Sequence, residues 1–295
     1  MVYIKTHKTA SDTTTNILHR FGLRRKLAFV QPVHKHMHLC FPYLLEPYCF
    51  RPLKTKQFNI MCQHVVYTPE VMSRIMPPDT VYFTTIREPF ARAKSSFAYF
   101  HMHDRARNLI GGNRFERYLE DIPRNERRIK SPDNFNARGT SCLPLGYSDT
   151  LNGMAFDLGF PTGFHYDTVD QSQNATFIRE WMMALSRQFS LVMVVEYFHE
   201  SLVLLRRLMC WTTEDIIYLK QNERKYINKN NSTNPKLIAN FRRYNVPDYV
   251  LYDHFNRTLW RKIADAGDDF WAEVLPRVTD CWRLYTSHPK VAVER

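Results

Sequence analysis

The chain has 295 residues, of which 41 are Lys or Arg and 29 are Asp or Glu, so its formal net charge at pH 7 is +12. With 44% hydrophobic and 24% charged residues, the composition excludes disorder and supports a substantial core. The longest aliphatic run, at 191–195, is far shorter than the ~20 apolar residues of a membrane-spanning helix. The positive charge favours an anionic partner, with nucleic acid, a phosphorylated cofactor, an acidic glycan and a lipid head group as candidates.

The six cysteines and the glycosylation sequons bear on the cellular compartment. No C-x-x-C pair occurs, which argues against a zinc ribbon or a thioredoxin-type motif and leaves any disulfide pairing open. N-x-[ST] sequons would suit a chain that passes through the secretory pathway. There are four of them, at Asn174, Asn230, Asn231 and Asn256.

In its first part the chain alternates β-type runs with helical runs. Residues 2–4 form a short β-type run that leads through a polar loop into a predicted helix at 13–21. Residues 30–57 lack a clear period, so we expect irregular structure there with one short helix. The next predicted elements are a strand at 59–67, a helix at 69–76 and a strand at 81–86 that turns directly into a helix with a proline in its first turn.

The remaining part is mainly helical around one apolar run. Residues 131–173 are rich in Gly, Pro, Asn and Ser, which predicts a long ordered loop region that could cover a site. The run at 191–195 is typical of a buried parallel strand. Helices are predicted at 114–128, 181–190, 199–210, 216–225, 235–244 and 248–264, the fourth beginning at a capping box, Thr212-x-x-Asp215. This alternation predicts a three-layer α/β/α fold with a central parallel sheet, in a single domain over 1–295.

The polar loop after the first strand is the first candidate site, because ligands of parallel sheets bind beyond the carboxyl ends of the strands. The loop Lys5-Thr6-His7-Lys8-Thr9-Ala10-Ser11 supplies two ammonium groups, several hydroxyls and the N–H groups of a helix start, a combination that suits an anion. It has no glycine and is not a Walker loop. A solvated polar turn explains this loop equally well when it is taken alone.

A second strand-to-helix corner carries Arg87 at the strand end, with Ser95 and Ser96 about two turns into the following helix. The arginine fork suits a phosphate, and a hydroxyl along the helix can reach the same group. One anion site at each corner suggests a ligand with two separated phosphates.

Both corners resemble motifs of a known enzyme family. The loop at 5–11 resembles the 5'-phosphosulfate loop of the Golgi glycan sulfotransferases, and residues 86–96 resemble their 3'-phosphate motif, with the same Arg-to-Ser spacing. Further blocks, at 195–205, 210–211, 214–215 and 251–258, are similar to the galactose 3-O-sulfotransferases, so the likeness runs from about residue 2 to about residue 265. It implies a P-loop-like sulfotransferase fold, the donor 3'-phosphoadenosine 5'-phosphosulfate (PAPS), and sulfuryl transfer to the 3-hydroxyl of a terminal galactose on a glycolipid or glycoprotein.

The same resemblance implies roles for individual residues. Lys8 is expected to stabilise the leaving group at the bridging oxygen. His64, in a Cys-Gln-His block, is expected to accept the proton of the acceptor hydroxyl, because imidazole titrates near neutral pH. His7 is the rival base and is expected to pack or cap instead. The implied donor contacts are Lys5, Thr9, Ala10, Ser11 and Thr13 for the phosphosulfate, with Arg87 and Ser95 for the 3'-phosphate.

Some features have two possible interpretations. The alternate histidines His34, His36 and His38 could bind a metal, but without a carboxylate or thiolate partner we expect no functional metal. Glu196 is either a site residue or a helix-capping carboxylate. Asp12 stands where the family usually has a small hydroxyl residue, and its charge would repel an incoming anion.

The resemblance also implies a location and leaves alternatives. The family's members are Golgi membrane proteins with a lumenal catalytic domain and an N-terminal anchor, whereas this sequence begins at the first strand, so either the anchor was left out or the protein is a truncated form. Nucleic acid is not expected as a partner. The alternatives are a catalytically silent glycan-binding relative and a nucleotide-dependent phosphotransferase, for which Asp12 is the sole obvious metal-binding carboxylate.

Overall fold

The centre of the fold is a sheet of three parallel strands in the order β1 (Val2–Ile4), β2 (Tyr82–Ile86) and β3 (Leu191–Val194). This computed structural model describes residues 1–33, 38–53, 57–106, 109, 111–131, 146–166, 168–218 and 234–274. Every strand residue is buried, as expected for a parallel sheet covered by helices. The predicted α/β class with a central parallel sheet is confirmed.

The segment predicted as a strand at 59–67 lies beside β1 but pairs only through isolated bridges. Met61 bridges Val2, and the Tyr3 amide donates to the Met61 carbonyl at 2.8 Å. His64 bridges His38 farther along the same segment. Because the bridge to β1 is parallel, this segment delivers His64 toward the edge of the sheet where β1 ends.

Most of the predicted helices are present, and α7 (Gly153–Asp157) is a short helix inside the segment predicted as a loop at 131–173. Among the described residues the helices are α1 (Ser11–Arg24), α2 (Pro69–Ile75), α3 (Pro89–Tyr99), α4 (Met102–Arg105), α5 (Arg114–Glu120), α6 (Ile122–Lys130), α7 (Gly153–Asp157), α8 (Ala175–Gln188), α9 (Phe198–Leu208), α10 (Thr213–Ile216), α11 (Pro235–Tyr244), α12 (Val246–Ala264) and α13 (Phe270–Val274), with 3-10 turns at Pro47–Cys49 and Val195–Tyr197. In the described part of the chain, no helix combines the length and the apolar character needed to span a bilayer.

Two of the differences from the predicted helix bounds are explained by local capping. The helix predicted at 114–128 is two helices, since Asp121 leaves the helical conformation and its carboxylate accepts the Arg124 amide at 3.2 Å, starting α6 afresh. The helix α8 begins earlier than predicted because the Asn174 side chain accepts the Phe177 amide at 3.1 Å. The predicted capping box at 212–215 is present, but the helix that it starts, α10, ends at Ile216 because Ile217 is extended, so the start of the predicted helix at 216–225 is wrong. Residues 219–225 lie outside the described residues.

Residues 30–57 are irregular around one short 3-10 turn, as predicted. Within them a disulfide joins Cys40 and Cys49, whose Cα atoms are 5.4 Å apart. Of the other described cysteines, Cys62 is buried and Cys210 is exposed, and both are thiols. The disulfide closes the loop that carries Phe41 to the edge of the sheet beside His64.

Candidate active site

The backbone of the loop after β1 is shaped to present N–H groups. Lys8 and Ala10 have left-handed φ angles of 64° and 57°, although neither is glycine. Such a conformation costs roughly 1–2 kcal/mol for each residue. Ala10 is the N-cap of α1 and has no side chain to cap the first amides of that helix. Left-handed residues that precede an uncapped helix start form a concave anion-binding backbone.

Hydroxyl groups inside this loop are mostly engaged in its own hydrogen bonding. Thr9 Oγ1 lies 2.7 Å from Thr6 Oγ1 and 3.0 Å from the Thr6 carbonyl, and the Thr6 hydroxyl also donates to the Thr85 carbonyl of β2. Thr9 is fully buried, main chain included, so it shapes the loop from within. In the first turn of α1, Ser11 is buried and Thr13 half-buried, whereas Ala10 is exposed.

Lys5 and Asp12 form an ion pair at the opening of the loop. Lys5 Nζ is 2.8 Å from Asp12 Oδ1, with the lysine side chain 2% exposed and the aspartate side chain 72% exposed. Partial burial opposes ionisation of Asp12, but the hydrogen bond and charge of Lys5 and the charge of Lys8 lower its pKa. The loop therefore holds an ionised carboxylate that neutralises one of its own cations.

The two predicted anion corners form a single site. Arg87, after β2, donates from Nη1 to the Lys8 carbonyl at 3.4 Å, and Lys8 Nζ lies 3.6 Å from the centre of the half-exposed Tyr99 ring on α3. Ser95 is half-buried on α3, whereas Ser96 is fully buried and donates its hydroxyl hydrogen bond to Asp149. Lys8 and Arg87 are thus brought together as predicted, and Ser96 belongs to the interior.

Two glutamates fix the second corner. Glu88 caps α3 by accepting the Phe90 and Ala91 amides at 3.1 and 2.7 Å. Glu196, after β3, accepts the Glu88 amide at 3.1 Å. Glu196 thereby ties the ends of β2 and β3 together.

His64 presents one ring nitrogen to the same site. Its Nδ1 lies 2.9 Å from the Lys5 carbonyl, which can only accept, so Nδ1 carries the hydrogen and Nε2 has the lone pair. The side chain is half-buried. Burial, followed by the positive charges of His7, Lys5 and His38, lowers the pKa of His64 well below 6.5. At neutral pH His64 is therefore an uncharged imidazole whose Nε2 can accept a proton.

His7 packs against His64 and is held by a buried carboxylate. The two rings stack at 3.9 Å between centroids. The His7 amide donates to Asp157 Oδ2 at 2.7 Å and its Nδ1 lies 3.0 Å from Asp157 Oδ1. Burial disfavours the charged ring, but the charge and hydrogen bond of Asp157 outweigh it and raise the pKa of His7. Only 6% of His7 is exposed, so His64 is the histidine that an acceptor can reach.

A buried charge network supports α7, the helix that carries Asp157. Arg92 is fully buried and donates to Asp149 Oδ1 at 3.1 Å and to the Thr150 carbonyl at 3.0 Å. Asp248 of α12 accepts the Ala155 amide of α7 at 2.7 Å, and burial raises the pKa of Asp248 to about 6. The network therefore positions Asp157 indirectly. Its members are far apart in sequence, so no local motif could have revealed them.

Of the alternate histidines at 34, 36 and 38, the structure describes His38. His38 stacks on His64 with ring centres 5.3 Å apart, while residues 34–37 lie outside the described residues. The described part of this group therefore belongs to the histidine stack at the site.

Comparisons with known proteins identify the family of this chain. Residues 1–277 match the profile of the family described as Galactose-3-O-sulfotransferase. Galactose-3-O-sulfotransferase 3 of Mus musculus is 32% identical over 268 residues, covering 90% of this chain and 58% of the mouse protein. Galactose-3-O-sulfotransferase 2 of Homo sapiens is 32% identical over 269 residues, covering 90% and 62%.

A third relative is galactosylceramide sulfotransferase of Homo sapiens, 33% identical over 279 residues, which cover 90% of this chain and 58% of the human protein. The chain spans about three-fifths of the length of these relatives. With a family profile that covers nearly all of its length, the chain belongs to the galactose-3-O-sulfotransferase family.

Proposed function

We propose that this protein transfers a sulfuryl group from PAPS to the 3-hydroxyl of a terminal galactose on a glycolipid or glycoprotein glycan. The observation that carries the proposal is the contact of Arg87 with the Lys8 carbonyl, which joins two cationic corners into one site beside the neutral His64. Relatives named for galactose and galactosylceramide sulfation support the reaction class.

The residues of the site suit a donor with phosphate groups at both ends of an adenosine. The backbone amides of Ala10 and Ser11, with Lys8, would hold the phosphosulfate end at the start of α1, over the buried Thr9. Arg87 and Ser95 would hold the 3'-phosphate at the second corner. The donor supplies an activated sulfuryl group, and the protein supplies position and charge.

Sulfuryl transfer resembles phosphoryl transfer in depending on alignment and on stabilisation of the departing oxygen. Lys8 would provide that stabilisation by moving its ammonium from the Tyr99 ring to the bridging oxygen. His64 Nε2 would accept the proton of the galactose hydroxyl, while the Lys5 carbonyl keeps the ring in the required tautomer.

His7 would keep His64, the proton acceptor, in its neutral form. Its charge, maintained by Asp157, opposes protonation of the stacked His64 ring before the acceptor binds. Once His64 has taken the acceptor proton, the same neighbouring charge favours loss of that proton to water. His7 would thereby help His64 return to its neutral form after each turnover.

We further propose that the enzyme works in the Golgi lumen, as the family resemblance implies. The Cys40–Cys49 disulfide fits a compartment that is oxidising. The carboxylate that a metal-dependent phosphotransferase would need, Asp12, is paired with Lys5. That pairing favours the sulfotransferase over the phosphotransferase alternative.

A transfer assay tests the proposal. Purified protein is incubated with sulfur-labelled PAPS and either galactosylceramide, a lactosamine-terminated glycan or a glucoside control, and the linkage of the product is determined. Label at the galactose 3-position supports the proposal. Saturable glycan binding without any incorporated label would indicate the silent relative, and phosphate transfer from ATP would indicate the phosphotransferase.

A further inference from the structure

The corner between α3 and α4 carries two histidines and an aspartate whose metal-ligating atoms face one another. His101, His103 and Asp104 each offer one such atom, and the three atoms all lie within 4.8 Å of one another. The group comes just after Tyr99, whose ring holds the Lys8 ammonium, and it has no role in the proposed transfer. It is also distinct from the alternate histidines at 34, 36 and 38.

The distances within the group suit direct coordination of one ion. His103 Nε2 lies 3.3 Å from Asp104 Oδ1, and His101 Nδ1 lies 4.0 Å from Asp104 Oδ2. In a tetrahedral zinc site with bonds of about 2.0–2.1 Å, neighbouring ligand atoms are about 3.3 Å apart. One pair already has this spacing. The other pair is slightly wider, and rotation of the exposed His101 side chain can close the difference.

The backbone presents the three side chains from an anchored turn. Met102, between the two histidines, is fully buried, and so is Ala106, directly after α4. The Asp104 amide donates to the His101 carbonyl at 2.9 Å, which fixes the turn between two of the ligands. His101 and Asp104 are exposed and His103 is half-buried, so an ion can reach the group from solvent. Ligands mounted on packed backbone need little reorganisation to bind.

The ligand types select the class of ion. Imidazole nitrogens bind zinc and neighbouring transition metals, whereas Mg²⁺ and Ca²⁺ prefer oxygen ligands. Two imidazoles and one carboxylate form a typical set of three protein ligands for zinc, with a fourth position open to water. The carboxylate offsets only one of the two positive charges of the ion, and the positive charge of Arg114 acts on His103. We therefore expect micromolar rather than nanomolar affinity.

We propose that His101, His103 and Asp104 bind one zinc ion, with water completing its coordination. Because His101 precedes α4 and Asp104 lies within it, the ion would cross-link the first turn of α4. The bound ion would stabilise the corner that follows Tyr99 at the end of α3. This proposal is independent of the proposed reaction, since zinc binding is measured without donor or acceptor.

Calorimetric titration of the purified, tag-free protein with zinc chloride, and separately with magnesium chloride, tests the proposal. His103→Gln and Asp104→Ala each remove one ligand atom. His101→Asn removes the third and keeps a residue that tolerates the left-handed φ of 51° at this position. The matched controls are His254→Gln on α12 and Asp268→Ala at an exposed position. The number of zinc ions bound per protein is the quantity compared, because other histidines can also bind zinc.

Wild-type protein and both controls are expected to bind one zinc ion more than each of the three variants, and magnesium is expected to give no saturable heat. An equal number of bound zinc ions in wild type and variants would overturn the proposal, as would magnesium binding as tight as that of zinc. Circular dichroism checks that each variant is folded. If His103→Gln does not fold, Asp104→Ala and His101→Asn, both at exposed positions, are judged by the same criteria.

A crystallographic measurement locates the ion directly. Crystals of the wild-type protein grown with zinc chloride are measured at the zinc absorption edge, where anomalous scattering identifies the element. A peak between the two imidazoles and the Asp104 carboxylate supports the proposal, even if the protein transfers no sulfuryl group. Zinc peaks only at other histidines would overturn the proposal, even if the protein is an active sulfotransferase.

Discussion

The rings of His7 and His64 stack at 3.9 Å with an angle of 17° between their planes, yet their pKa values move in opposite directions. His7 has a carboxylate, Asp157, on its Nδ1, whereas His64 has only a neutral carbonyl. Two adjacent imidazoles cannot both be charged without strong repulsion. His7 is therefore protonated before His64. The positive charge lies on the buried His7 ring, and the accessible His64 ring keeps its lone pair.

This order predicts a specific pH dependence. His64 is inactive as a proton acceptor when it is protonated, and its pKa lies below 6.5, so activity should fall only as pH decreases below 6.5. His7→Gln removes the neighbouring charge and should raise the His64 pKa, moving this acid limb upward by about one pH unit. The check is kcat/KM against pH, with His254→Gln as control, since His254 bonds Ser186. If the acid limb of the pH profile stays in place or moves to lower pH, the His7 charge does not lower the His64 pKa.

Lys8 should act in the transfer step and contribute little to the fold. Lys8→Met keeps an unbranched side chain at the left-handed position but removes the charge, and kcat should fall by about 10²–10³-fold, the usual cost of losing one group that stabilises the transition state. Single-turnover kinetics with PAPS measure the effect, and thermal unfolding checks the fold. Lys262→Met, at an exposed position on α12, serves as control. A kcat within a factor of three of wild type would remove Lys8 from the mechanism.

Arg87 should govern donor affinity. A charge-assisted hydrogen bond contributes about 1.5–3 kcal/mol, so Arg87→Ala should raise the donor KM by about 10–100-fold. Arg87→Lys keeps the charge but loses the planar fork and should give an intermediate value. Donor KM at saturating acceptor is measured, with the exposed Arg179→Ala of α8 as control. An unchanged donor KM in Arg87→Ala would show that Arg87 does not bind the donor.

Asp12 should weaken donor binding in the natural protein. Asp12→Ser removes a carboxylate from the site and releases Lys5 from its ion pair, so the dissociation constant for adenosine 3',5'-bisphosphate should decrease several-fold. Calorimetric titration gives this constant for the variant and for Asp268→Ser, whose exposed position lies outside the site. If affinity falls in Asp12→Ser, the carboxylate positions Lys5 for the donor instead of competing with it.

The buried network around Arg92 should dominate local stability. Asp149 accepts from Arg92, Ser96 and Tyr147, and replacing it by Asn leaves the Arg92 charge without its nearest partner. The free energy of unfolding should decrease by about 3–5 kcal/mol. Urea denaturation measures the change against Asp268→Asn. A loss below about 1 kcal/mol would mean that Asp248 alone suffices to compensate Arg92.

Position at the sheet edge was the part of the site that the sequence could predict. Parallel strands end at one edge, so Arg87, directly after β2, and Lys8, in the loop after β1, were expected to lie close together, and they do. His64 followed for the same reason, even though its segment pairs through isolated bridges and not as a regular strand. The helix at 235–244 matched its predicted bounds because a proline starts it and its apolar period is clear.

The partners of these residues could not be predicted in the same way. Asp157 is 150 positions from His7 in the chain, and Phe41 lies in an irregular segment without period. Ser96 looked equivalent to Ser95 in sequence, but the turn of the helix sends it inward to Asp149. Such contacts depend on tertiary packing, which local propensity does not encode.

Calorimetry on three nucleotides shows whether both cationic corners hold one molecule. Adenosine 3',5'-bisphosphate, 5'-AMP and 3'-AMP are titrated into the wild-type protein under identical conditions. We expect the bisphosphate to bind at least about tenfold more tightly than either monophosphate, since each corner contributes its own charge-assisted hydrogen bonds. Equal dissociation constants for the bisphosphate and 5'-AMP would show that Arg87 does not bind a second phosphate and that the two corners do not form one donor site.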